Sequence, residues 1–349
     1  MSDSRSRERR VLDAVERRRE VVNDALAEEL PVRHPDRLWE AARHLLDAGG
    51  KRLRPTLMLL VAEALSDAEP MSEDYRSFPD SNGDTVDLLR AAGSVEVIHT
   101  FTLIHDDIMD EDPLRRGVAA VHEEYDDATA IIAGDTLFSS AFELLTETGA
   151  PAARGLDAIN LLAETCTRIC EGQSLDIDFE TRNDVVPDEY VEMIDHKTAV
   201  LYGASAAIPA ILLGADEDTV DELYAFGREV GQAFQIHDDV LDLTVPSEKL
   251  GKQRGSDLVE GKQTIITVHA RDRGVDVEGL VDAETPEEVT GAEIEAAVEE
   301  LEAAGSIEYA REMAHDLADS GKGRLSVLPE NESRELLAGV ADYLVERGY

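Results

Sequence analysis

Apolar residues recur at three- and four-residue spacing through one long segment after another, and this periodicity constrains the chain more than any other feature. It predicts helices over 37–47, from Pro55 to about Leu65, and over 86–109, 128–148, 158–179, 188–213, 219–243, 265–273, 292–304, 306–319 and 333–346. Aromatics make up only 5% of the residues, while Ala, Leu, Glu and Asp dominate, so composition also favours helix over sheet. Gly49-Gly50 ends the first of these helices, and Pro55 suits the first turn of the next, which places Lys51 to Arg54 on the connection. The segment 66–85, rich in Asp, Ser, Pro and Gly, and the acidic, aperiodic segment 274–290 are expected as surface loops. A chain of 349 residues can hold one large domain or two ordinary ones, and composition does not choose.

The charge is extreme: 76 acidic residues against 33 basic ones leave a formal net charge of −43, which repels nucleic acid and anionic membranes. Disorder is excluded by the sustained apolar periodicity, so the acid belongs to the surface of a folded protein. Only six of the basic residues are lysine, a pattern read as adaptation to concentrated intracellular salt. At molar ionic strength the Debye length is roughly 3 Å, and carboxylate repulsion is screened. Cys166 and Cys170 form neither a disulfide framework nor a zinc motif, and the charged segment 1–20 has no signal-peptide core, so a reducing cytoplasm is expected. The longest uncharged run, Thr198 to Ala215, is interrupted by Gly203, Ser205 and Pro209 and is expected as a buried core helix rather than a stable membrane insertion.

Against this background one aspartate pattern occurs twice. Asp106-Asp107-Ile108-Met109-Asp110 follows the apolar stretch from Val95 to Ile104, and Asp238-Asp239-Val240-Leu241-Asp242 lies in a second apolar stretch. Residues four apart share a helix face, so Asp106 pairs with Asp110 and Asp238 with Asp242, and His99 lies on nearly the same face as Asp106. A carboxylate in apolar sequence is costly to desolvate without a partner. Magnesium prefers oxygen ligands and bridges a few carboxylates to substrate phosphates, so two such clusters suggest a diphosphate held by several metal ions. Lysine is nearly eliminated, yet Lys51, Lys197, Lys252 and Lys262 all lie near other charged or polar motifs, as anionic substrates require.

These residues resemble the trans-prenyl diphosphate synthases, whose two aspartate-rich motifs have the form Asp-Asp-x-x-Asp, and the resemblance runs from about Gly49 to the C-terminus. Gly50-Lys51-Arg52-Leu53-Arg54-Pro55, His99, the Arg115-Arg116 pair, Gln173, Lys197-Thr198, Phe234-Gln235, and Lys252 and Lys262 flanking Asp257 follow in the family's order. The resemblance implies an all-α, single-domain antiparallel helical bundle of the isoprenoid synthase type with a central apolar channel, and a homodimer. It implies Mg²⁺, three ions per active site, held by Asp106, Asp110, Asp238 and Asp242. Lys51, Arg54, His99 and Arg116 are then assigned to the diphosphate of isopentenyl diphosphate and Arg115 to that of the allylic substrate. Gln173, Thr198, Gln235 and Lys252 complete the substrate contacts, with Lys197 and Lys262 stabilising the departing diphosphate.

Chain length is expected to be set one to two turns before Asp106, by Phe101 and Thr102. A bulky aromatic five positions before the first motif, with a smaller residue at four, resembles the archaeal-type geranylgeranyl diphosphate synthases. Farnesyl and geranylfarnesyl products are the alternatives. A class I terpene cyclase would have no need of the isopentenyl set, and a noncatalytic subunit of a heteromeric synthase would be expected to have lost aspartates that are complete here.

Overall fold

The computed structural model describes residues 2–246, 254–281 and 288–346, with side chains from residue 7 onward. The helices are α1 (Ser2–Glu29), α2 (Asp36–Asp47), α3 (Leu53–Leu65), α4 (Leu88–Met109), α5 (Val121–Glu124), α6 (Asp127–Thr146), α7 (Ala152–Phe179), α8 (Pro187–Ile194), α9 (Val200–Leu213) and α10 (Glu217–Thr244). They continue with α11 (Ser256–Val259), α12 (Ile265–Asp272), α13 (Gly291–Ala303), α14 (Ser306–Arg324) and α15 (Glu332–Glu346). Two antiparallel ribbons, β1 (Phe78–Pro79) with β2 (Thr85–Val86) and β3 (Leu114–Arg115) with β4 (Val118–Ala119), are the strands among the described residues. The protein is all-α, as the periodicity requires.

The chain forms two compact units, residues 1–164, 204–224 and 325–340 in the first and 165–203, 225–324 and 341–349 in the second. In the first, α4 packs along α6 and also meets α1 and α3. Small residues permit this: Ala91, Ala92 and Gly93 on α4 and Ala130, Ala133 and Gly134 on α6 are all buried, and short side chains let helix axes approach. Leu57, Leu59, Leu60, Val95 and Ile98 fill the surrounding core. In the second unit, α12 is the central element, packed on α8, α13 and α14, with Ile265, Ile266, Ile294, Leu301 and Ile307 buried.

Helix α1 is not among the elements expected from sequence. Its charged residues mask an inner stripe of Val11, Ala14, Val15, Val22 and Leu26, all buried. Arg18 on the same stripe forms a buried ion pair with Glu63, which also accepts from the Tyr75 hydroxyl, the Met71 N–H and Ser333 Oγ. Segment 66–85 is a loop for most of its length, but Tyr75 and Phe78 anchor it in the core. Helix α3 begins at Leu53, so Arg54 belongs to its first turn rather than to the connection before it. Stretches 127–146 and 187–213 are long and apolar enough to cross a membrane, and the most apolar 18-residue window of the second is 83% buried within the protein, as expected for a core helix.

Candidate active site

In the first unit a cation cluster forms around one acid. Glu96, on α4 and 2% exposed, accepts from Arg52 Nη1 at 2.5 Å and from Arg116 Nη2 at 3.4 Å, and faces His99 Nδ1 at 3.8 Å. Arg54 Nη1 donates to His99 Nε2 at 3.0 Å, so the ring proton is assigned to Nδ1. Arg116 also donates to the carbonyls of Leu45 and Gly49, and its guanidinium lies against Gly50, where a Cβ would stand 3.1 Å from the guanidinium carbon. With φ at +147°, Gly50 is a position that other residues rarely adopt. Thus the Gly-Gly turn, Arg54, His99 and Arg116, far apart in sequence, are brought together, with Lys51 exposed beside them. Burial raises the Glu96 pKa, but His99, Arg52 and Arg116 more than offset this and hold it well below the usual carboxylate range.

His99 is pushed down to about 4 by burial first and then by the charge of Arg54. It is therefore neutral at pH 7 and cannot repel its cationic neighbours. Between about pH 6.5 and 4 the unfolded chain protonates this histidine while the native one does not, so stability is complete above that window and is lost as pH falls through it. The expected loss is roughly 2–3 kcal/mol. Urea midpoints at pH 7, 5 and 4 should fall more steeply for the wild type than for His99→Asn, and parallel curves would exclude this role.

At the C-terminal end of α4, Asp106 is half-buried and Asp110, which caps the helix, is exposed. Asp107, between them, faces the other way and is fully buried, ion-paired to Arg115 Nη2 at 2.5 Å. Arg115 also meets Asp112, so it stands on the carboxylates of the 107–112 turn, apart from the Arg116 cluster. Burial raises the Asp107 pKa, with Arg115 pulling against it.

In the second unit the polypeptide between α8 and α9 opens into a π-turn, 195–199, in which Val200 N–H donates to the Asp195 carbonyl. Lys197, within this turn, pairs with Asp176 on α7 at 2.5 Å. Thr198 Oγ1 donates to Gln235 Oε1, Gln235 Nε2 donates to Asp239 Oδ1, and the Tyr190 hydroxyl donates to Asp239 Oδ2. Burial and the nearby charge of Asp257 push Asp239 well above the carboxylate range. Gln173 is buried, and among the described residues neither of its amide atoms has a hydrogen-bond partner. Asp238 is half-buried. Asp242, expected to share its face, is 1% exposed and accepts from Ser256 Oγ and from the Asp257 N–H, tying down the segment that carries Lys262. Lys262 lies near Asp257 and Glu260. Lys252 is outside the described residues.

The donor chemistry fits magnesium. Asp106, Asp110 and Asp238 offer carboxylate oxygens with some solvent access, while Asp107 is buried against Arg115 and Asp239 accepts from Tyr190. Among the described residues no three His, Cys, Asp or Glu side chains are gathered into a closed cage, and magnesium characteristically uses one or two carboxylates with substrate phosphates completing its shell.

Sequence reasoning missed Arg52, Glu96, Asp176, Tyr190 and Asp195. Glu96 carried a usable signal, an isolated acid within an apolar run, the same signal that singled out the aspartate clusters, whereas Asp195 is flanked by Glu192, His196 and Lys197 and carried none. Tyr190 and Asp176 carried none.

Residues 35–301 match the model of the polyprenyl synthetase family. The chain is 64% identical to the geranylfarnesyl diphosphate synthase of Natronomonas pharaonis, over 97% of this chain and 98% of that one. It is 45% identical to the geranylgeranyl diphosphate synthase of Methanosarcina mazei over the same shares. Among solved structures, the geranylgeranyl pyrophosphate synthetase of Geoglobus acetivorans superposes with a TM-score of 0.84 at 42% identity, covering 95% of this chain and 99% of that one. With the family's motifs occupying helices of an isoprenoid synthase fold, the chain belongs to the polyprenyl synthetase family and is a short-chain prenyl diphosphate synthase, a prenyltransferase.

Proposed function

We propose that the protein is a Mg²⁺-dependent enzyme that condenses isopentenyl diphosphate with dimethylallyl, geranyl and farnesyl diphosphates, working as a cytoplasmic homodimer with geranylgeranyl diphosphate as its main product. The observation that carries the reading is the gathering of His99 and Arg116 around Glu96, with Arg54 hydrogen-bonded to His99 and the exposed Lys51 next to Arg52 in the chain. A diphosphate acceptor site of this kind serves a second anionic substrate, which a terpene cyclase does not have.

In this reading Asp106, Asp110 and Asp238 hold the metal ions, three per active site; Asp242, being buried, would act by securing the segment around Asp257. The ions supply charge neutralisation of the allylic diphosphate. Lys197 and Lys262 stabilise the negative charge that develops as the allylic C–O bond breaks. Lys51, Arg54, His99 and Arg116 fix the isopentenyl diphosphate so that its double bond attacks the allylic cation. Loss of a proton, taken up by the departing diphosphate, restores the alkene. Arg115, Gln173, Thr198, Gln235 and Lys252 are assigned to substrate contact. Incubation with labelled isopentenyl diphosphate and each primer, followed by chromatography of dephosphorylated products, tests the reading; no elongation of any primer would reject it.

Geranylgeranyl product is supported by Phe101 with Thr102 after it. The Phe101 ring lies edge-on to Phe138 of α6, centroids 5.3 Å apart, and to His105 at 4.8 Å, and Phe138 in turn meets Phe142. Geranylfarnesyl product is the second reading, favoured by the name of the 64% identical relative. Phe101→Ala is expected to lengthen the product by at least one isoprene unit with turnover largely kept. If Phe101 only packs, stability falls by roughly 3–5 kcal/mol and the distribution does not move. Product chromatography and the thermal midpoint of one preparation separate these outcomes.

The charge of −43 leads to one more expectation. Dialysis from molar salt to about 0.1 M, where the Debye length grows from roughly 3 to 10 Å, should reduce both activity and helicity. Full activity at low salt would refute the halophilic reading.

A further inference from the structure

We propose that the π-turn at 195–199 is a register lock for Lys197, and that Asp195 and Arg228 are positioning residues acting through that lysine, an inference that rests on the role given to Lys197 above. A π-turn carries one residue more than the α-helical register, and such bulges persist where surrounding contacts hold them. If this one relaxed to α-helix, the residues on one side of it would rotate by about 100° relative to the other, and Lys197 would leave its present direction.

The contacts that prevent this come from one face of α10. Arg228 donates to both Asp195 carboxylate oxygens, from Nε at 2.9 Å and from Nη2 at 2.6 Å, and Gln232 Nε2 donates to Oδ1 at 2.9 Å. Gln235 accepts from Thr198 Oγ1 at 3.1 Å, and Asp239 then receives Gln235 Nε2 and the Tyr190 hydroxyl. Positions 228, 232, 235 and 239 recur at i, i+4, i+7 and i+11, a single helical stripe. The turn is thus gripped at Asp195, two residues before Lys197, and at Thr198, one residue after it. Asp195 is 5% exposed, and its carboxylate takes three donors. Such an arrangement is strong because two of its hydrogen bonds are a bidentate, charge-assisted pair.

The other side of the turn is closed by α7. A Cβ on Gly172 would lie 2.2 Å from the Lys197 backbone nitrogen, so only glycine allows this approach. One turn further along α7, Asp176 receives the Lys197 ammonium. Backbone and side chain of Lys197 are therefore both located, the first by α10 and Gly172, the second by Asp176.

The test is a double-mutant cycle on the full-length enzyme, with Arg228→Met, Lys197→Met and the double variant, reading kcat, KM for isopentenyl diphosphate and the thermal midpoint. Misplacing a catalytic group by about 1 Å can cost up to about a hundredfold, so Arg228→Met is expected to lower kcat by roughly ten- to a hundredfold. KM for isopentenyl diphosphate should stay within about twofold, because its cations lie on other elements. In the Lys197→Met background the Arg228 substitution should have no further effect beyond about twofold. Additive losses, or an unchanged kcat in Arg228→Met, would overturn the inference while leaving the role of Lys197 intact. Near-normal turnover in Lys197→Met would remove that role and the inference with it. Gln232→Met, which takes one donor from Asp195 and leaves the ion pair, provides the same cycle should Arg228→Met fail to fold.

Discussion

Replacing Asp106 or Asp238 with Ala is expected to lower kcat by roughly two to four orders of magnitude, because in the proposed role each would supply an oxygen ligand worth several kcal/mol of charge stabilisation. Helical content should be kept, since both carboxylates are half-buried rather than part of the core. The neighbouring acids predict a different result. Asp107→Asn breaks a buried ion pair with Arg115, and Asp239→Asn disturbs the contact with Tyr190, so these variants should lose stability along with activity. Steady-state kinetics at saturating magnesium, alongside circular dichroism, separates the two groups. Near-normal turnover of Asp106→Ala or Asp238→Ala would remove the proposed mechanism.

Glu96→Ala should be the most damaging single change outside the aspartate clusters. The carboxylate is 2% exposed and neutralises Arg52, itself buried, together with Arg116. Without it two guanidinium groups and His99 remain close together in a poorly solvated place, and breaking a buried pair in this way costs roughly 3–5 kcal/mol. KM for isopentenyl diphosphate should rise at least tenfold as Arg116 and His99 shift. Glu96→Gln keeps shape and one acceptor and should lie between. Urea denaturation and substrate titration of the three proteins check this; unchanged stability in Glu96→Ala would show that water or another group satisfies the cations.

The two aspartate clusters illustrate how far sequence reasoning reaches. Both have the same spacing, and helical geometry places the first and last aspartate of each on one face. For Asp106 and Asp110 the solvent access agrees with that placement. Asp238 and Asp242 share a face of one helix but differ in access, because Ser256 and the Asp257 backbone, fourteen and fifteen residues on, donate to the Asp242 carboxylate. Nothing within the motif announces those partners.

The amino-acid sequence alone determined the helical class, the borders of most helices, the acidic surface and the family, because each depends on local periodicity, composition or the order of short motifs. Helix α1 escaped since its stripe of small apolar residues is diluted by charge. Tertiary structure decided which buried acid meets which donor: Glu96 pairs with Arg52 across 44 residues and Asp239 accepts from the Tyr190 hydroxyl across 49. It also decided the π-turn, an irregularity that no local preference favours and that the hydrogen bonds from α10 sustain. The physical reason is the same in both cases. Burial makes an unpaired charge or a broken helical register expensive, and the groups that relieve that cost come from distant segments which only the folded chain brings near.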